Sequence, residues 1–153
     1  MVFNKQTDLV AIGCDHGGWE LKNTITAFLK EQGIQVLEFG CQNGESIDYP
    51  QVAIDTCANL QNGKAKLGIL VCGTGIGMSI AANKLKGIRA AVCTDHFSTK
   101  FTRLHNNTNV LCLGGRVIGP GVALELVDLF LNTDFEGGRH QRRVDAIMDI
   151  EKL

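Results

Sequence analysis

Five short, nearly unbroken apolar runs constrain this chain more than any other feature. They are Leu9-Val10-Ala11-Ile12-Gly13, Ile34-Gln35-Val36-Leu37-Glu38-Phe39, Leu67–Cys72, Ile88–Cys93 and Asn109–Gly114. Strands this apolar need cover on both faces, which points to a parallel sheet enclosed by helices. The segments between them carry helical spacing. Leu21, Ile25, Phe28 and Leu29 precede a stop at Gly33. Pro50 suits a helix start; Ala53, Cys57 and Leu60 give that helix one face, and Asn62-Gly63 ends it. Met78–Lys84 reads as a helix after a glycine-rich turn, and another runs through 96–105. Ala123, Leu126, Val127 and Phe130 mark a strong amphipathic helix, and a last one over 138–151 carries Val144, Ile147 and Met148. The expected organisation is a series of βαβ units with right-handed crossovers, without linker, repeat or second domain.

Composition removes several classes of function. With 153 residues, 44% hydrophobic and only two prolines, the chain buries a core and is not disordered. A net charge of −1 gives no global support for binding duplex nucleic acid. No apolar run reaches the length of a membrane span. Met1–Asp8 lacks the apolar stretch of a signal peptide, and the six cysteines (14, 41, 57, 72, 93, 112) are scattered with no CxxC pair. The expected location is therefore the cytoplasm with reduced thiols, most of them packed as small buried hydrophobes.

Ligands on such folds bind beyond the carboxyl ends of the strands. That rule selects Cys14-Asp15-His16, Cys72–Gly77, Thr94-Asp95-His96 and Gly114-Gly115-Arg116. Cys72-Gly73-Thr74-Gly75-Ile76-Gly77 is the strongest local pattern. Its glycines allow backbone N–H groups to turn toward an anion, although a tight turn for helix–sheet packing needs them as well. It is neither a Walker loop nor GxGxxG. Cys72 is a candidate base or nucleophile, because a thiol at the start of a helix is activated; a buried structural cysteine is the plain alternative. Asp15 suits sugar hydroxyls and equally suits a helix N-cap. Gly137-Gly138-Arg139-His140-Gln141-Arg142-Arg143 is the only dense basic cluster; Arg139 and Arg143 share a helix face and fit a phosphate, or form a solvated face. His105 is a possible acid–base group, beside Asn106. The histidines show no close ligand spacing, so no metal is expected, and no GxSxG elbow occurs.

Taken in order, Gly13-Cys14-Asp15-His16, Asp48-Tyr49-Pro50, Cys72–Gly77, Ala81-Ala82-Asn83-Lys84, Gly87-Ile88-Arg89-Ala90, His105-Asn106, Asn109-Val110-Leu111 and Gly137-Gly138-Arg139-His140 resemble the type B ribose-5-phosphate isomerases and the related galactose-6-phosphate and allose-6-phosphate isomerases, over residues 8–150. The resemblance implies a three-layer α/β/α single domain over 1–153 with a five-stranded parallel, Rossmann-like sheet. It implies a homodimer or dimer of dimers with shared active sites, and aldose–ketose interconversion of a phosphorylated sugar through a cis-enediol without metal or cofactor.

By the same resemblance Cys72 is the base, Thr74 moves a proton between sugar oxygens, and His105 opens the ring with Asp15 at its end. The backbone of Gly73, Thr74, Gly75, Ile76 and Gly77 holds the enediolate. Arg139 and Arg143 clamp the phosphate with His16 and Arg116, while Asn106 and Tyr49 line the site. Some relatives use a glutamate where Met78 stands, so this chain is of the cysteine type. Retention of Cys72, His105, Arg139 and Arg143 favours ribose 5-phosphate over galactose 6-phosphate, with allose 6-phosphate as a second activity that asks only for a longer pocket. A non-catalytic phosphosugar sensor and a nucleotide-binding module are the readings from other classes.

Overall fold

The computed structural model describes residues 2–153; Met1, which opens the segment read for a signal peptide, lies outside them. The strands are β1 (Leu9–Cys14), β2 (Gln35–Gly40), β3 (Leu67–Cys72), β4 (Ala90–Val92) and β5 (Val110–Gly114). They form one five-stranded sheet in the order β2-β1-β3-β5-β4, with every pairing parallel. The helices are α1 (Trp19–Glu31), α2 (Tyr49–Gln61), α3 (Ile76–Ala82), α4 (His96–Asn106), α5 (Pro120–Asn132) and α6 (Arg139–Asp149), followed by a 3-10 turn over Ile150–Lys152.

The apolar runs become strands because each side chain has a layer to enter. Along β3, Leu67, Ile69 and Val71 point into a core shared with α1 and α5, where Ile25, Leu29, Leu126 and Phe130 are buried. Leu70 and Cys72 point the other way, against Val52 and Cys57 of α2 and Met78 and Ala82 of α3. The fold is thus the expected three-layer α/β/α sandwich. Registers Cys14↔Val71 and Cys72↔Gly114 bring the carboxyl ends of β1, β3 and β5 level.

Some boundaries differ from the sequence expectation. The run Ile88–Cys93 yields only three strand residues, Ala90–Val92. The Arg89 N–H just before the strand goes to the Asn109 side chain at 2.8 Å, and on the free edge the Asn83 side chain donates to the Ala90 carbonyl at 2.9 Å and accepts its N–H at 2.8 Å. The helix expected over Met78–Lys84 spans Ile76–Ala82 instead: Gly75 at φ 80 sets its start, and Asn83, at its C-cap, turns its side chain to β4. Asp15 does not cap α1; Gly18 is the N-cap residue, and Asp15 closes the preceding turn.

Two ion pairs to one carboxylate tie α1 to the outer strand β2. Lys22 is buried, and its Nζ lies 2.9 Å from Glu38 Oε2, while Lys30 Nζ lies 2.9 Å from Oε1. Hydrogen bonds from Lys30 and then Lys22 hold the Glu38 carboxyl below its ordinary 4.5. Its folded value is depressed, so the ionised carboxylate adds stability above that ordinary value and loses it as pH falls through the folded one. We expect Glu38→Gln to lower unfolding free energy at pH 7 by about 1–2 kcal/mol. The gap between variant and wild type should close on titration below pH 4.5, as followed by urea melts.

Candidate active site

Two groups of candidate residues emerge, at opposite ends of the sheet. The first lies beyond the carboxyl ends of β1, β3 and β5. Cys72 ends β3 and is buried, its Sγ accepting the Gly75 N–H at 3.0 Å. The N–H groups of Gly73 and Thr74 meet no acceptor among the described residues. Thr74 is exposed, and its Oγ1 accepts the Ile76 N–H at 3.2 Å. Ile76 and Gly77 open α3, and the Tyr49 ring packs on Gly77 so closely that a Cβ there would stand 2.8 Å from its Cζ.

Asp15 is buried beside this loop, with Oδ1 accepting the N–H groups of Gly17 at 2.9 Å and Gly18 at 3.2 Å. His16 next to it is exposed. Arg116 donates its backbone N–H to the Gly73 carbonyl at 3.0 Å, and its guanidinium lies over Gly73, with Nη1 3.3 Å from the position of a Cβ. The arrangement gathers a thiol, a hydroxyl, a carboxylate, a guanidinium and free backbone donors around one mouth. That set can move protons and hold an anion.

Four of the other thiols are poor candidates for a base. Burial pushes Cys14 and Cys57 up to about 12 and also raises Cys93 and Cys112. The strand-end segment Thr94-Asp95-His96 has structural work: Asp95 Oδ1 accepts the Ser98 N–H at 2.8 Å as the cap of α4, and His96 Nδ1 pairs with Glu125 at 2.9 Å.

The second group sits where α4 ends and α6 begins. His105 stacks on His140 with centroids 4.0 Å apart and planes within 10°, and it meets the edge of Phe101 at 4.8 Å. Glu136 Oε2 faces both rings, 3.7 Å from His105 Nε2 and 3.2 Å from His140 Nε2. Arg139 Nε lies 3.4 Å from His140 Nε2, and Asn106, Arg139 and Arg143 are exposed. Burial, then the neighbouring His105 and Arg139, pull His140 below its ordinary 6.5.

Two arginines fix this end of α4, Arg103 buried and Arg89 half-buried. Arg103 donates to the carbonyls of Thr133 at 3.1 Å and Thr108 at 2.5 Å. Arg89 donates twice to the Asn107 carbonyl, at 2.9 and 2.8 Å.

Residues 107–109 lead from His105 and Asn106 into the amino end of β5, whereas Cys72 aligns with its carboxyl end at Gly114. The four steps of β5 between these ends cover roughly 13 Å. One chain therefore does not bring His105, Asn106, Arg139 and Arg143 to Cys72. Glu136 and His140 carried no role in the sequence reading. Their i,i+4 spacing was legible, but their meeting with His105 from another helix was not.

The family model described as Ribose/Galactose Isomerase matches residues 10–147. The chain is 48% identical over 143 residues to ribose-5-phosphate isomerase B of Escherichia coli, covering 94% of this chain and 96% of that one. It is 45% identical over 139 residues to a D-erythrulose-4-phosphate isomerase of Pectobacterium atrosepticum, covering 90% and 91%. Among solved structures, ribose-5-phosphate isomerase B of Clostridium thermocellum superposes with a TM-score of 0.92 at 48% identity, covering 94% and 97%.

The mouth depends on close backbone approach. A Cβ on Gly115 would stand 2.6 Å from the Gly17 carbonyl oxygen, whereas one on Gly121 would meet nothing within 4 Å. Gly115→Ala should cost about 1–3 kcal/mol of stability as the Gly17 turn is pushed away. Gly121→Ala, in α5, should be neutral or stabilising by up to about 1 kcal/mol. Paired denaturant melts check the contrast.

Proposed function

The chain belongs to the ribose/galactose isomerase family, and from that premise we propose that it interconverts ribose 5-phosphate and ribulose 5-phosphate through a cis-enediolate, without metal or cofactor. The observation that carries this reading is the Cys72 thiol set against the Gly73–Gly77 loop at the carboxyl edge of the sheet.

In this reading His105 takes the proton from the anomeric hydroxyl and returns one to the ring oxygen, with Asp15 at that end of the sugar. Cys72, as thiolate, removes the C2 proton from the open-chain aldose. The C–H electron pair becomes the C1–C2 double bond, and the carbonyl pair moves onto O1. Backbone N–H groups of Gly73 and Thr74, having no acceptor among the described residues, are free to hold that charge. Thr74 relays the proton from O2 to O1, and Cys72 gives its proton to C1. Arg139 and Arg143, with His16 and Arg116, hold the phosphate, while Tyr49 and Asn106 line the sugar.

The separation of the two groups favours active sites shared between two copies of the chain. Exposed apolar side chains suit a covered face: Ile76 and Ile80 on α3 beside the first group, and Phe97 at the start of α4, which leads through Phe101 to His105. We read the active form as a homodimer or dimer of dimers in the cytoplasm. Among the described residues no helix is long and apolar enough to cross a membrane. The Pectobacterium relative named for a four-carbon sugar makes chain length the variable to assay, with allose 6-phosphate and D-erythrulose 4-phosphate beside ribose 5-phosphate.

Ketose formation from ribose 5-phosphate should persist in EDTA and fall roughly 10²–10⁴-fold in Cys72→Ala and Cys72→Ser. Loss of turnover in chelator, or full activity of a folded Cys72 variant, refutes the mechanism. Mixing Cys72→Ala with Arg139→Ala subunits should restore roughly half of wild-type activity per heterodimer, because one of its two symmetric sites is then intact. No recovery in isolated heterodimers removes the shared-site reading.

A further inference from the structure

The His105–Glu136–His140 cluster is a ready donor set for a metal. One ligand atom from each residue lies within 4.8 Å of the others. Tetrahedral zinc, with bonds of about 2.0–2.2 Å to nitrogen and oxygen, spaces neighbouring donors about 3.3–3.5 Å apart. The Glu136 oxygen already stands 3.2 and 3.7 Å from the two imidazole nitrogens. Two histidines and a glutamate leave a fourth position open, as in reactive rather than structural zinc sites.

The parts differ in freedom. The His140 side chain is only 7% exposed and held in place, whereas His105 is 35% exposed. The rings now lie nearly parallel, so their lone pairs do not converge; a tilt of the more exposed His105 brings them together. The Glu136 backbone N–H donates to the Leu104 carbonyl at 3.0 Å, which fixes the carboxylate's stem against α4. The Arg139 guanidinium, with Nε 3.4 Å from His140 Nε2, has to leave when a cation arrives. Arg139 and Arg143 oppose the cation, so binding is reversible and weaker than at closed four-ligand sites.

We infer that His105, Glu136 and His140 form an inhibitory site for a divalent transition-metal cation of the zinc type, in competition with the phosphosugar. The inhibition rests on the proposed function, since the metal would sequester the ring-opening histidine and displace a phosphate-binding arginine. The binding does not rest on it.

The test uses the full chain. Co²⁺ should give the visible absorption of a four-coordinate nitrogen and oxygen site without a thiolate charge-transfer band, and Zn²⁺ should displace it. Glu136→Gln, at an exposed position, should abolish that spectrum, and Cys72→Ser should retain it. Zn²⁺ should raise the KM for ribose 5-phosphate and leave kcat, with reversal by EDTA. In Glu136→Gln, measured against its own zinc-free rate, half-inhibition should need about tenfold or more zinc. A spectrum unchanged by Glu136→Gln, a thiolate band lost in Cys72→Ser, or equal zinc sensitivity of the Glu136 variant overturns the site. A protein that fails to isomerise ribose 5-phosphate yet shows the expected cobalt spectra loses the functional reading and keeps the metal site.

Discussion

The carboxyl edge of the sheet is built by three loops touching backbone to backbone. The level registers Cys14↔Val71 and Cys72↔Gly114 start all three at one height. They then have to pass one another with no room for side chains. A Cβ on Gly18 would stand 2.3 Å from the Val71 carbonyl oxygen, a distance no real side chain tolerates. Core packing enforces this crowding, because β1, β3 and β5 are buried along nearly their whole lengths. The chemistry follows from the constraint. Once the loops are this close, Asp15, Cys72 and Arg116 meet around one opening, and the Gly75 N–H has the Cys72 sulfur as its acceptor.

The second group obeys different physics. His105 and Asn106 sit at the fraying end of a helix, where side chains are ordinarily mobile. Here the helix end is locked by charge rather than by apolar packing. A guanidinium taken out of water needs several acceptors to offset its lost hydration. Arg103 finds the carbonyls of Thr108 and Thr133, and its charge lies 5.3 Å from the centre of the Phe130 ring. Its reach to Thr133 links the turn after α4 to the segment that leads into α6. That link works beside the Glu136 N–H bond to the Leu104 carbonyl, and together they keep Glu136 next to His105. Arg103 and Arg89 do not touch the candidate donors, yet the geometry of that cluster depends on them.

The layers were legible in the sequence because both periodicities are local. Continuous apolar runs and helical stripes report burial within a few residues, and the strand-end rule then selected Asp15, Cys72–Gly77 and Arg116 before any contact was known. The curtailed β4 was not legible: Ile88–Cys93 is apolar throughout, and the Asn83 side chain that occupies its edge comes from another element. Asp15 beside Gly17 and Gly18 reads as a cap, and only the φ and ψ of Gly18 show that the helix begins later. The histidine–glutamate cluster was hidden for a similar reason. Its donors come from the end of α4 and from residues 136–140, joined by long-range packing that no spacing rule encodes.

The distance between the two groups argues against a complete site within one chain. From C1 of a pentose phosphate to phosphorus there are six bonds of about 1.5 Å, so even a straight chain of them spans at most roughly 9 Å. The length of β5 between the two groups, roughly 13 Å, exceeds that. Arg139 does not close the gap, because its Nε is turned to His140 on its own helix. Arg116 lies at the thiol's end but offers a single guanidinium, against the paired Arg139 and Arg143 one turn apart on α6. In the homodimer we propose, a second copy would bring its own α4–α6 corner to the mouth and supply Arg139, Arg143 and His105 together, since all three lie at that corner. The same step would cover apolar residues that a lone chain leaves in water, so that completing the site and burying surface would be one event.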